Sequence, residues 1–216
     1  MKYDAILFDL DGTLTESGTG IMNSARYALT KMGFSIPPEE TLRLFVGPPL
    51  TEAFQTHCGM TEAEAGEAIR CYREYYAERG LFENAVYDGV PEMLSDLTAM
   101  GERLVLATSK PEHFAKRILS HFGLDTYFAY IGGALTDGRR KEKAEVIAYV
   151  LETTGADPAR CLMIGDRRYD VEGAKTFGIP TLGVLWGYGT EKELTDAGAS
   201  YLAAHPDEIK EILDHV

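Results

Sequence analysis

The sequence is poor in cysteine, in cations and in long apolar runs, and each shortage excludes something. Three cysteines, Cys58, Cys71 and Cys161, are an odd number without metal-type spacing, so neither a disulfide framework nor a zinc site is expected. No apolar run approaches the ~18 residues of a membrane span, and the first residues enter a strand pattern without a basic segment and apolar stretch ahead of it. Export and membrane insertion are therefore not expected, and a reducing cytoplasm fits. The 21 Lys and Arg against 34 Asp and Glu give a net charge of −13, which disfavours nucleic acid or an anionic membrane as a partner. Low-complexity tracts and internal repeats are missing as well. What remains, 216 residues with 45% hydrophobic and 25% charged, is the composition of a soluble globular protein large enough for one α/β core and a smaller inserted unit.

The most informative stretch is Asp4 to Thr15. The apolar run Ala5 to Phe8 has the length of a buried strand and ends in two carboxylates, Asp9 and Asp11, with Gly12 and Thr13 turning the chain away. In open α/β sheets the strand C-termini face the ligand crevice, so this strand delivers acids to the place where chemistry sits. Two carboxylates so close repel each other unless a proton or a cation relieves them, and hard oxygen ligands suit Mg²⁺. The plainer alternative for either acid is a turn or helix-capping aspartate.

Residues 16 to 83 carry helical periodicities and no convincing strand. Thr15 to Gly20 reads as a flexible connection, Ile21 to Met32 as a helix stopped by Gly33, and Pro37-Pro38 as the start of a short helical piece. Gly47-Pro48-Pro49-Leu50 restarts a helix toward Cys58. Thr61 with Glu64 makes a capping box for a helix to about Arg79. From Tyr87 the pattern alternates. Strands are expected at Arg103 to Ala107, Tyr127 to Ile131, Cys161 to Ile164 and Thr181 to Val184. Helices fall at Asp88 to Gly101, Pro111 to Phe122, Glu142 to Thr154, Tyr169 to Phe177 and Pro206 to Asp214. Such alternation predicts a doubly wound, mainly parallel sheet with right-handed crossovers.

Three further groups stand at element junctions. Thr108 and Ser109 end the second strand where Pro111 opens a helix, so their hydroxyls either cap that helix or face an anion at its N-terminus. Arg139, Arg140, Lys141 and Lys143 crowd the segment before the next helix, where cations are usually solvated. Asp166 and Asp170, spaced i, i+4 after a buried strand, are either a capping pair or two acids on one crevice. Together with Asp9 and Asp11 they predict four converging carboxylates, for which a metal site is the economical explanation.

Asp9-Leu10-Asp11-Gly12-Thr13, Thr108, Lys143 and Gly165-Asp166-x-x-x-Asp170, in that order along the core, resemble the four motifs of the haloacid dehalogenase-like superfamily of phosphotransferases. The likeness covers essentially the whole chain. Val46 to Leu50 and Trp186-Gly187-Tyr188-Gly189 look like the phosphoglycolate phosphatase-like branch, although Ser109 stands where many relatives have Asn. The resemblance implies a Rossmann-like core at 1–15 and 84–216 and a helical cap at 16–83 that closes to exclude water and choose the leaving group. It implies a Mg²⁺-dependent phosphatase: Asp9 the nucleophile forming an aspartyl-phosphate, Asp11 the general acid and base, Thr108 and Lys143 binding the transferring oxygens. Asp9, the backbone carbonyl of Asp11, and Asp166 would hold the metal, supported by Asp170. Lys143 matches the lysine motif better than Lys141, and Arg139 and Arg140 are then expected at the surface. Gly12, Thr108, Ser109, Lys143 and the cap residue Gly47 are the substrate contacts. The expected partner is a small phosphorylated metabolite, the assembly a monomer or homodimer. Within the resemblance a 5'-nucleotidase, a pyrophosphatase, a β-phosphoglucomutase-like phosphomutase and a non-catalytic phospho-ligand sensor stay open. The five histidines show no paired spacing, and Tyr72, Tyr75 and Tyr76 are expected to pack within the cap.

Overall fold

A four-residue strand with no exposed atom to speak of, β1 (Ala5–Phe8), lies at the centre of the sheet in the computed structural model, which describes residues 2–137 and 140–215. Its unbroken apolar run is what a strand covered on both faces requires, because neither side can carry a polar group without losing water. The chain then forms β2 (Thr15–Glu16) and enters a compact unit of its own, Glu16–Ala85, which holds α1 (Gly18–Met32), α2 (Glu39–Arg43), α3 (Leu50–Cys58) and α4 (Glu62–Tyr75). A π-helical turn over Tyr76–Gly80 continues α4, and β3 (Ala85–Val86) pairs with β2 in a two-stranded sheet.

Local rules account for these helices. Gly33 ends α1 at φ 75, a conformation that costs a residue with a Cβ. The capping box forms, with the Glu64 amide donating to Thr61 Oγ1 at 3.3 Å and the Thr61 amide donating to Glu64 Oε2 at 2.9 Å. Tyr72 and Tyr76 are buried and stacked, ring centroids 5.3 Å apart, so they pack as expected. One expectation is corrected: α1 starts at Gly18 rather than Ile21, and Thr15 and Ser17 are buried, so the segment read as a flexible connection is ordered. Its Gly, Ser and Thr content reflects tight packing, since Gly20 lies where an added Cβ would meet the Gly80 carbonyl.

The second unit comprises the residues up to Thr15 and from Val86 on. It contains α5 (Val90–Ala99), β4 (Leu104–Pro111), α6 (Glu112–His121), β5 (Phe128–Ala134), α7 (Lys143–Thr154) and β6 (Cys161–Gly165). It closes with α8 (Arg168–Lys175), β7 (Thr181–Val184), α9 (Glu191–Ala197), β8 (Tyr201–Ala203) and α10 (Glu208–His215). The sheet order is β5-β4-β1-β6-β7-β8 and each neighbouring pair is parallel, a doubly wound α/β sheet as the alternation predicts. Two elements escape the sequence pattern: α9 buries only Leu194, and β8 is a three-residue edge strand, so neither offers a periodic apolar signal. A further correction concerns β4, which runs on through Pro111 after a register shift beyond Thr108; Pro111 caps α6 instead of being its first residue.

Period two in the strands meets period 3.6 in the helices. Ala5 and Leu7 share a face with Val105, Ala107 and Met163, and Val146, Ile147 and Val150 of α7 cover them. Phe8 pairs with Leu106 of β4 and Ile164 of β6, so Asp9 leaves β1 level with the ends of both neighbours. The strand order departs to either side of β1 at this point, where open α/β sheets leave a crevice. Among the described residues no helix is long and apolar enough to cross a membrane.

Because Leu7 is fully buried in that cluster, Leu7→Ala should lower stability by about 2–5 kcal/mol in urea unfolding. Leu44→Ala, at a residue 53% exposed, should change it by less than about 0.5 kcal/mol.

Candidate active site

Asp9 follows the last residue of β1, and its amide donates to the Ile164 carbonyl at 2.9 Å, which fixes its backbone to β6. Its carboxylate meets two others from β6 and α8. Asp9, Asp166 and Asp170 each present an oxygen within 4.8 Å of the rest. Asp166 is completely buried, and Asp170 is 1% exposed. The i, i+4 spacing works because α8 starts immediately: Asp170 Oδ2 accepts from the Arg167 amide at 3.0 Å, capping the helix, while Oδ1 turns inward. Both readings of that acid thus hold at once. Gly165 is the residue beneath it, and a Cβ there would stand 2.3 Å from the Asp170 carboxyl carbon.

Lys143, the first residue of α7, brings the compensating charge. Glu142 and Glu145 form a capping box that starts the helix at this residue. The ammonium donates to Asp9 Oδ1 at 2.7 Å and to the Ala107 carbonyl at 2.9 Å, and forms an ion pair with Asp170 Oδ1 at 2.6 Å. Gly173 of α8 makes room, since a Cβ there would lie 2.6 Å from Lys143 Cγ. Burial pulls the Lys143 ammonium down, but the charges of Asp170 and Asp9 outweigh it and hold its pKa above the usual lysine range. Lys141 is exposed and pairs with Glu142, so Lys143 is the lysine at the site.

The carboxylates remain under-compensated. Burial, then the charges of Asp170 and Asp9, push the Asp166 carboxyl well above the ordinary range. Burial raises Asp170 to about 6, with Lys143 opposing and Asp9 adding to the shift. Three acids against one ammonium leave an excess of two negative charges, the charge of one divalent cation. Carboxylate oxygens converging in a largely buried group are the donor set a hard cation takes, so these residues fit Mg²⁺.

The expectation of four converging carboxylates is corrected to three. Asp11 points elsewhere and is held through both oxygens by Lys110, a buried lysine near the end of β4. Sequence reasoning missed Lys110. The strand is expected to end before it, and only the extension of β4 through Pro111 buries this cation, which burial tolerates only with an opposite charge at hand. Thr108 is buried, and its Oγ1 accepts from the Lys110 amide at 3.2 Å, so it holds the β4 bulge rather than capping α6. Ser109 is half-buried beside it. Gly12, at φ 84, turns the chain against Asp166. Gly47 belongs to the Glu16–Ala85 unit, exposed and at φ 103. Arg140, expected at the surface, instead stacks on Tyr149 at 3.6 Å from the ring centroid and donates to Glu112 Oε2 at 3.2 Å. Arg139 lies outside the described residues. The histidines are exposed or half-buried and apart from the acids.

The chain is similar to known proteins over nearly its whole length. The family model for haloacid dehalogenase-like hydrolases matches residues 6–184. A 5'-nucleotidase of Pseudomonas aeruginosa is 42% identical over 99% of this chain and 97% of its own. The tyrosine-protein kinase PtkA of Mycobacterium tuberculosis is 43% identical over 96% of this chain and 72% of its own. A phosphoglycolate phosphatase of Pseudomonas syringae is 31% identical over 88% and 72%. The crystal structure of a predicted phosphatase from Clostridium acetobutylicum, 44% identical, superposes with a TM-score of 0.94 over 99% of this chain and all of that one.

Removing the buried ammonium leaves three acids facing each other, so Lys143→Met should cost about 3–5 kcal/mol in metal-free urea unfolding. Lys141→Met, at an exposed pair, should cost less than about 0.5 kcal/mol.

Proposed function

The chain belongs to the haloacid dehalogenase-like hydrolase family and is a phosphoric monoester hydrolase; we propose that it is Mg²⁺-dependent and acts on a small phosphorylated metabolite through an aspartyl-phosphate. The single observation that carries the proposal is the buried group of Asp9, Asp166 and Asp170 with only Lys143 to balance it. A nucleophilic carboxylate needs charge neutralisation and in-line positioning more than a base, and the Lys143 ammonium in contact with Asp9 supports the first of these.

In this reading an oxygen of Asp9 attacks the phosphorus, forming an acyl phosphate as the ester P–O bond breaks, and Asp11, having turned from the Lys110 ammonium and taken up a proton, gives that proton to the departing oxygen. Asp11 then takes a proton from the water that attacks the same phosphorus, which frees Asp9 and releases phosphate. Lys143, in contact with Asp9, offsets the charge on nucleophile and phosphoryl oxygens together, and the Thr108 hydroxyl lies at the neighbouring strand end. Asp9 and Asp166, with the Asp11 carbonyl and support from Asp170, would hold Mg²⁺. When bound, that ion supplies Lewis-acid stabilisation of the phosphoryl charge. In the resting site Lys110 keeps the Asp11 side chain at the strand ends where the leaving group departs.

For the substrate, phosphoglycolate is the first expectation from sequence alone. The 5'-nucleotidase aligns over nearly its whole length at higher identity than the phosphoglycolate phosphatase, so nucleoside 5'-monophosphates are proposed first and phosphoglycolate second. A kinase reading has the likeness to PtkA in its favour. It is separated by products: a kinase consumes a nucleoside triphosphate and leaves a phosphorylated protein, a phosphatase leaves free phosphate.

A phosphate-release screen with Mg²⁺ should give turnover on nucleoside 5'-monophosphates, abolished by EDTA and restored by excess Mg²⁺. Asp9→Asn should lose more than about a thousandfold in kcat and Asp11→Asn about 10²–10⁴-fold, both keeping the native circular dichroism spectrum. Substantial turnover by Asp9→Asn would remove it as the nucleophile.

A further inference from the structure

The segment that follows β7, Trp186-Gly187-Tyr188-Gly189, wraps around one side chain of the site. The Tyr188 amide donates to Asp166 Oδ2 at 2.8 Å, while the Thr13 hydroxyl lies 3.5 Å from Oδ1. A Cβ on Gly187 would stand 2.5 Å from Asp166 Cβ and 2.3 Å from the Gly12 carbonyl oxygen. One on Gly189 would stand 1.9 Å from the Asp166 carbonyl oxygen, and one on Gly12, 2.2 Å from Asp166 Oδ2. Gly187 and Gly189 do not lie in the left-handed region, so space rather than dihedral freedom demands glycine at both. The indole of Trp186 donates to the Thr13 carbonyl at 3.0 Å, tying the segment to the turn that follows Asp11.

We infer that this loop is the positioning device for the metal's buried carboxylate, with Gly187 and the Tyr188 amide fixing the Asp166 carboxylate and Trp186 holding the loop in place. The inference rests on the metal site proposed above. A completely buried carboxylate held by a backbone amide has one orientation instead of several, so an ion meets it without an ordering cost. Outer contacts of this kind are worth about 10–100-fold in metal affinity. A merely connecting loop would make no such demand on Gly187.

Isothermal titration of the full chain with MgCl₂, substrate absent, reads this directly. Gly187→Ala should raise the Mg²⁺ dissociation constant by about 10–100-fold. Gly66→Ala in α4, where a Cβ meets nothing within 4 Å, should leave it unchanged. Circular dichroism establishes that each variant is folded; should Gly187→Ala fail to fold, Trp186→Phe, which removes the indole donor along with part of the ring but keeps an aromatic side chain, decides by the same measure. A folded deciding variant that binds Mg²⁺ within about threefold of the parent overturns the inference. A parent chain that binds no Mg²⁺ instead takes down the metal reading, and this inference with it.

Discussion

Everything about the site follows from placing three carboxylates and one ammonium out of water at the ends of two adjacent strands. Taking charge out of water is costly, and the attraction between ions repays it only when the charges balance. Lys143 balances one of the three acids, while burial first and the neighbouring acid charges second hold the Asp166 and Asp170 carboxyls above the ordinary range. In the proposed reading a cation would complete such a site, and the same neutralisation would lower the barrier to an anionic carboxylate attacking an anionic phosphoryl group. The net charge of −13 makes local compensation the more necessary.

The sheet exists to hold these groups in register. Because β1 is covered on both faces and pairs in parallel with β4 and β6, the residues after it have little freedom. Asp9, Lys110 and Asp166 reach the same end of the sheet from three strands, while Lys143 and Asp170 arrive from the first turns of two helices that follow strands. Helix starts fixed by capping boxes give those two side chains defined positions. Glycines at 165 and 173 mark where two chain segments come within contact distance.

Much of this is legible in the sequence, because the site sits where patterns break. A buried apolar run ending in acids is visible at Asp9 and again at Asp166, and the helix/strand alternation from Tyr87 on gives the parallel sheet. What could not be read is whatever depends on partners distant in the chain. Lys110 looks like any strand-end lysine until Asp11, brought beside it by the sheet, is seen to claim it. The same pairing takes Asp11 out of the carboxylate group, which spacing alone had placed inside it. Arg140 belonged to a run of cations that looked solvated, yet Tyr149 and Glu112 draw it in. The short β8 and α9 carry too few apolar residues to announce themselves.

The central claim is that Asp9, Asp166 and Asp170 enclose one divalent cation. Anomalous diffraction from crystals grown with Mn²⁺ tests it most directly. One peak within bonding distance of carboxylate oxygens of both Asp9 and Asp166 is the result predicted. A map with no peak between those side chains, or with the metal bound only elsewhere on the chain, would contradict it.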